Sequence, residues 1–491
     1  MANPYLAGNF APVHEELTVT DLTVTGHIPE HLDGRYLRNG PNPIAEVDPA
    51  AYHWFLGDGM VHGVRLRDGR AQWYRNRWVR SPEVAATLGE PVPGSLGSAP
   101  IAGLGANTNV IQHAGRTLAL VEGGVANYEL TDELDTVGPC NFDGTLPGGY
   151  TAHPKRDPLT GELHAVSYFF GWGNRVQYSV IGTDGRARRT VDVKVTGSPM
   201  MHDFSLTEKY VIFYDLPVTF DAEQSVAGTP MPGALRTPAR LVMSALIGRV
   251  RVPDPISAML GRQVPNNGRM PYRWNPRYPA RIGVMARDGD RADGNTDVRW
   301  FDVEPCYVFH PLNAYDEGDT VVLDVVRHPK MFATDFNGPN EGQPTLDRWT
   351  VDLADNKVRE SRLDDHPQEF PRVDERLVGR RHRYGYALQT MPGTGADAAD
   401  ALLRHDLVAG RTTAVNLGAG KRGSEFVFVP NSADAAEDEG VLMGFVYDTT
   451  TDRSDLRIID AQSLETVGAV HLPARVPNGF HGNWAPTETP G

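Results

Sequence analysis

Val61–Arg75 reads VHGVRLRDGRAQWYR, with VHGVRL (Val61–Leu66) and RAQWYR (Arg70–Arg75) flanking Asp68-Gly69. Asp-Gly between two strand-forming runs is a strong local signal for a β-hairpin. Both residues tolerate the positive φ that a two-residue hairpin turn demands. The device recurs along the chain. RVQYSV (Arg175–Val180) and ARRTVDVKV (Ala187–Val195) flank Asp184-Gly185, and RWTVDL (Arg348–Leu353) and KVRESRL (Lys357–Leu363) flank Asp355-Asn356. LRIIDA (Leu456–Ala461) and ETVGAVHL (Glu465–Leu472) flank a further tight turn. GRTLALVE, ELHAVSYFF, KYVIFYDL and VLMGFVYD read as further strands, several apolar on both faces and so buried.

Hairpins over the whole length, with no long helical pattern between them, predict a closed all-β array. A β-propeller protects its strand edges by radial repetition and is the architecture expected here. No fixed sequence period of the WD type is present, so the repeat is structural rather than textual. The whole chain, residues 1–491, is read as one domain; seven blades would average roughly 70 residues each and leave room for long loops on one face. The 51 glycines and 38 prolines stand well above the average combined share of about 12%. That excess suits many short strands joined by many turns.

Charge and cysteine usage exclude several classes. A net charge of −15 argues against a duplex nucleic-acid partner. Two cysteines, Cys140 and Cys306, are too few for a disulfide framework and point to a reducing cytoplasm. The opening MANPYLAGNFAPVHEEL has no basic start and no apolar core, so no signal peptide is expected. Nowhere is there a run of about 18 apolar residues that could span a bilayer as a helix.

One stretch reverses the local charge. Nine arginines fall between Arg236 and Arg281, against one acidic residue, Asp254. Within it, PARLVMSALIGRVRV carries Leu241, Leu246, Ile247 and Val250 among the arginines and reads as a short basic, apolar helix. Two readings stand. The helix rests on a membrane surface and helps the protein take up an apolar substrate. Alternatively, residues 225–281 form a partly helical insertion packed over the propeller face, with its arginines paired to acidic loops.

Four histidines share a setting: His153 in YTAHPKRD, His202 in SPMMHDFSL, His310 in YVFHPLNAY and His481 in NGFHGNWAP. Each lies among apolar or aromatic residues close to a strand signal, and His310 stands just ahead of the strand-like TVVLDVV (Thr320–Val326). Their separations match neither HExxH nor a zinc finger. For any one of the sixteen histidines, an ordinary buried or surface imidazole is the simpler explanation. A propeller changes this, because the innermost strands of its blades all approach one axis. One histidine per blade can then meet its counterparts, and the four are expected to converge on one iron. Four neutral imidazoles would leave a dication with open coordination positions, which suits dioxygen better than a structural role.

A metal-bound histidine usually donates its second N–H to a carboxylate or carbonyl. Glu122, Glu369 and Glu425 lie in apolar strand settings where an unpaired carboxylate is costly to bury. Each is a candidate partner; a place on the solvent rim is the other reading.

RYLRNGPNP (Arg35–Pro43), HWFLGDGMVHGV (His53–Val64), GANTNV (Gly105–Val110), EGG (Glu122–Gly124), TAHP, MMHDF, FHPLNAY, QEFPRVD, SEFVFVP and FHGNW together resemble the carotenoid cleavage oxygenase family, nearest its actinobacterial members. The likeness runs from about Pro12 to Trp484, with the motifs in the family's order. The resemblance implies a seven-bladed β-propeller with a loop-and-helix cap. It implies one non-haem Fe(II) per chain, held by His153, His202, His310 and His481, with Glu122, Glu369 and Glu425 orienting the last three. Thr108 would crowd the open coordination site with its methyl group. The reaction implied is cleavage of a conjugated C=C bond of a carotenoid or apocarotenoid by O2, giving two carbonyl products.

Such a substrate needs an apolar tunnel, for which Trp54, Phe55, Phe169, Phe170, Trp172, Phe309 and Trp484 are candidate walls. The stilbene-cleaving branch carries a lysine just before the glutamate of the EGG motif; here that position is Val121, which favours polyenes. The isomerohydrolase branch shares the histidines and is set aside by analogy alone. Outside the family, a calcium-dependent lactonase-like propeller and a non-enzymatic interaction propeller remain as rival classes.

Overall fold

The computed structural model describes residues 3–50, 52–94, 105–146, 149–222, 237–238, 247–252, 270–288, 297–336, 338, 341–390 and 399–488. Among these residues the strands form seven antiparallel sheets of four to six strands, the blades of a propeller. A two-stranded ribbon, Val218–Phe220 with Tyr272–Trp274, stands beside them. Five blades are simple meanders covering residues 109–140, 155–194, 204–302, 307–364 and 368–416. In each, the first strand lies innermost. Phe204–Leu206, Tyr307–Glu317 and Gln368–Arg372 follow one another in contact around the axis.

The remaining two blades close the ring with both ends of the chain. Gly482–Pro486 pairs with Gly34–Pro41, so an early and a late segment share one sheet. Val24–Gly26 adds an edge strand to the blade built from residues 421–471. Among the described residues, the two ends of the chain thus supply strands to the blades on either side of the seam.

The hairpins read from the sequence form, and the first has the expected two-residue turn. Arg67 pairs with Arg70, leaving Asp68 (φ 51°) and Gly69 (φ 65°) as the two turn residues, both left-handed. Arg175–Ile181 pairs with Ala187–Lys194, Thr345–Asp352 with Lys357–Asp364, and Arg453–Asp460 with Thr466–His471. Apolar side chains fill the spaces between blades, where Trp349, Tyr178, Phe204 and Phe213 are wholly buried.

TVVLDVV forms a strand, Thr320–His328, and FHPLNAY ahead of it lies inside a strand of its own, Tyr307–Glu317. Pro311 breaks the pairing register on both sides, and this bulge is where a strand tolerates proline. The arginine-rich stretch is described only in part. Tyr272–Trp274 belongs to the ribbon, and Arg281 opens a blade strand, pairs with Asp215 at 2.9 Å and stacks on Trp300 at 4.1 Å. Ile247 packs inward against the cluster containing Val121, Phe169 and Phe170. Leu241, Leu246 and the helix read around them lie outside the described residues.

The seam generates a test. Removing residues 482–491 keeps His481 but strips Gly34–Pro41 of the partner strand on its axial side, leaving only Gly59–Arg67. We expect calorimetry to show loss of the single cooperative unfolding transition. An unchanged Tm would refute the closure described here.

Candidate metal centre

The ring's geometry sets the centre. His153 and His202 lie two residues before the innermost strands of their blades, His310 sits within one and His481 immediately precedes one. Glu369 lies in the innermost strand of a fifth blade, and Glu425 just ahead of that of a sixth. Glu122 follows Arg116–Leu120 in the seventh. Every blade thus places one imidazole or one of these carboxylates near the axis.

The four imidazoles are buried, each with 8% or less of its surface exposed. One donor nitrogen from each lies within 4.8 Å of all the others. His202 Nε2 and His310 Nε2 are 3.3 Å apart. Metal–imidazole bonds of about 2.0–2.1 Å place neighbouring donors roughly 3 Å apart, so the cluster has the size of a coordination sphere. His153 Nε2 is buried without a hydrogen-bond partner. A buried imidazole nitrogen left unsatisfied is costly unless a ligand takes it up, so the residues present fit a metal ion.

The other ring nitrogens explain the orientation. His202 Nδ1–H donates to Glu122 Oε1 at 2.8 Å, His310 Nδ1–H to Glu369 Oε2 at 2.6 Å, and His481 Nδ1–H to Glu425 Oε1 at 3.0 Å. A proton fixed on Nδ1 leaves the Nε2 lone pair facing inward. Burial and the neighbouring imidazoles hold the pKa of His153 well below the usual range, so this ring is neutral. His481 is also lowered, since burial outweighs the pull of Glu425. Burial acts the same way on His310, but Glu369 outweighs it and raises the net value.

The glutamates are secured in turn. Burial would push the Glu369 pKa up, yet His310 and His328 together hold it well below the carboxylate range. His328 Nε2–H donates to Glu369 Oε1 at 2.7 Å. Burial opposes ionisation of Glu425 too, but Arg372 and His481 bring it down to about 2. Arg372 Nε stands 3.3 Å from Glu425, whose Oε2 also accepts the Gly482 N–H at 2.8 Å. His328 and Arg372 were not among the residues singled out from sequence. Arg372 stands inside QEFPRVD, and His328 closes the strand Thr320–His328.

Thr108 abuts the centre through its carbonyl, which accepts the His481 N–H at 3.0 Å. Its hydroxyl donates to Asn107 Oδ1 at 2.9 Å, and this bond fixes the side-chain rotamer. Phe309 meets His202 edge-on at 5.0 Å, and Phe370 lies 5.5 Å from both His310 and His481. Phe370 takes a left-handed φ of 54°, a costly conformation for a bulky residue.

The aromatic candidates divide into three groups. Phe309, Phe55, Phe480 and Trp54 form one row leading from His202, with successive centroids 6.3, 5.6 and 4.4 Å apart. Phe169, Phe170 and Trp172 gather with Val121 on the Glu122 side. Trp484 belongs to neither. It packs against the cluster of Tyr36, Val64 and Leu66 between blades, because its strand pairs it with Tyr36 and turns it away from the centre.

A propeller whose axis carries four inward imidazoles, three of them braced by glutamates, has the donor set of a class of β-propellers built to hold a metal ion at the axis. The family model described as retinal pigment epithelial membrane protein matches residues 10–486, and the chain belongs to that family, the carotenoid oxygenases. It is 60% identical to a carotenoid cleavage oxygenase of Mycobacterium tuberculosis over 99% of this chain and 98% of that one. Among solved structures it resembles the Pseudomonas brassicacearum lignostilbene dioxygenase, with TM-score 0.80, 28% identity and coverage of 99% and 98% of the two chains. It also resembles a cobalt-substituted Synechocystis ACO, with TM-score 0.78, 26% identity and coverage of 97% of each.

Glu369→Gln tests the bracing. The amide cannot serve His310 and His328 as a charged acceptor, and we expect metal affinity to fall about 10–100-fold. Titration with Fe(II) or Co(II) reads this directly. Unchanged affinity would separate Glu369 from the centre.

Proposed function

We propose that this protein is an iron-dependent dioxygenase that splits a conjugated C=C bond of a carotenoid or apocarotenoid. The overall change, R–CH=CH–R′ + O2 → R–CHO + R′–CHO, needs no further reductant. The observation that carries the reading is the set of four buried, inward imidazoles with three orienting carboxylates behind them. The 60% identity to a carotenoid cleavage oxygenase supports the substrate class.

His153, His202, His310 and His481 would hold the iron, one ion per chain. When bound, iron(II) supplies the activation of O2 that an electron-rich alkene requires. All-nitrogen donors suit iron, copper, nickel or zinc; the redox chemistry selects iron among them. The protein's own contribution is positional. Glu122, Glu369 and Glu425 keep three Nε2 atoms aimed inward. Phe309, Phe55 and Phe370 give the centre an apolar flank where a polyene excludes water without needing a hydrogen bond. Thr108, with its hydroxyl held by Asn107, would turn its methyl group to the open coordination side.

Val121 is buried among Phe169 and Phe170. An apolar residue there favours a polyene over a phenol, and so a carotenoid over a hydroxystilbene. The structural likeness to a lignostilbene dioxygenase keeps the stilbene reading as the alternative. A lactonase-like role is disfavoured, since the carboxylates stand behind the imidazoles rather than offering oxygen ligands at the axis.

Product analysis decides. The Fe(II)-loaded protein is given β-carotene, a series of apocarotenals and resveratrol, in air and without O2. We expect oxygen-dependent aldehydes from the polyenes, whose masses name the bond cut. Products from resveratrol alone would move the chain to the stilbene branch. No product from any substrate would overturn the dioxygenase reading.

A further inference from the structure

Three imidazoles hand their Nδ1–H to a glutamate from another blade; His153 does not. The nearest carboxylate is Asp203, whose Oδ2 lies 3.9 Å from His153 Nδ1. That is too long for a hydrogen bond and in the range where a water completes the contact. Asp203 belongs to the neighbouring blade, immediately after His202. It is 4% exposed, and its Oδ1 accepts the Phe204 N–H at 2.7 Å. Lys155 Nζ sits 2.8 and 2.9 Å from the two carboxylate oxygens, so the acid is held and partly neutralised.

A cavity of about 100 Å³ lies against this group. His153, Lys155, Asp203, Arg372 and Asn313 contribute to its wall. It is polar and large enough to hold several waters. His153 lines this space, and its Nε2 is sealed without a partner.

We propose that Asp203 is the positioning residue of His153, receiving its Nδ1–H through water in the axial cavity, with Lys155 tempering the carboxylate's charge. The inference rests on the four-histidine metal reading. It makes His153 the one ligand whose basicity is set from a wet cavity rather than by a directly bonded glutamate. It also assigns opposite effects to two neighbouring residues. Removing the Asp203 charge weakens the pull on the His153 proton. Removing Lys155 strengthens it. A merely structural role would not produce that opposition.

The test uses the full-length Co(II)-loaded protein and proton NMR of the paramagnetically shifted, exchangeable imidazole N–H signals. We expect four such signals, one exchanging with solvent faster than the rest. Asp203→Asn keeps an oxygen for the Phe204 N–H. It should move the fast-exchanging signal one way and lower Co(II) affinity about tenfold, the low end for outer partners of metal-bound histidines. Lys155→Met should move the signal the other way without lowering affinity. Four shifted signals that ignore both substitutions, or move the same way in both, would overturn this inference alone. No shifted N–H signals at all would overturn the metal-centre reading and this inference with it.

Discussion

The structure depends on keeping four imidazoles buried and turned inward at once. A neutral histidine has two tautomers, and only one leaves Nε2 free to face the axis. Choosing it requires an acceptor at Nδ1, and the strongest acceptor is a carboxylate. A carboxylate in an apolar interior is itself unfavourable unless its oxygens are bonded. The need for partners therefore passes outward, from His310 to Glu369 to His328, and from His481 to Glu425 to Arg372 and the Gly482 N–H. Glu122 is braced less completely. Its Oε1 serves His202, while Oε2 makes no hydrogen bond among the described residues. The centre is thus a set of unequal supports, and the ligands are not interchangeable.

Much of the fold was legible because its turns are chemically explicit. Asp68-Gly69 can scarcely be anything but a two-residue turn, and the runs on either side pair as their composition predicts. The buried strands, such as Tyr210–Asp215 and Gly440–Asp448, announced themselves by being apolar on both faces. Closure of the ring was not legible. Nothing in VTG or GNWAP reveals that Val24–Gly26 and Gly482–Pro486 complete two different blades, because pairing partners separated by hundreds of residues leave no local trace. The strand around His310 was hidden for another reason: Pro311 argues against a paired strand, and the bulge on both sides of it is what accommodates the proline ring.

At the site, the histidines could be found by their shared surroundings once a common axis was assumed. The pairing of particular glutamates with particular histidines came only with the family resemblance. Asp203, His328 and Arg372 went unweighed. A charged residue beside a strand has an ordinary explanation at the surface, and its burial becomes visible only in three dimensions. Trp484 illustrates the converse. It stands three residues after His481 and is a candidate tunnel wall by sequence, but the strand it occupies turns it between blades.

The seven-fold arrangement has an evolutionary consequence. Four blades supply imidazoles and three supply glutamates, so no blade is spare. Drift at any of these seven positions endangers the centre itself. Innovation is thereby confined to residues farther from the axis, where side chains can change without disturbing it. A lineage built this way should diversify in what it accepts long before it diversifies in what it does. The relatives described above, a carotenoid cleavage oxygenase and a lignostilbene dioxygenase, fit that expectation.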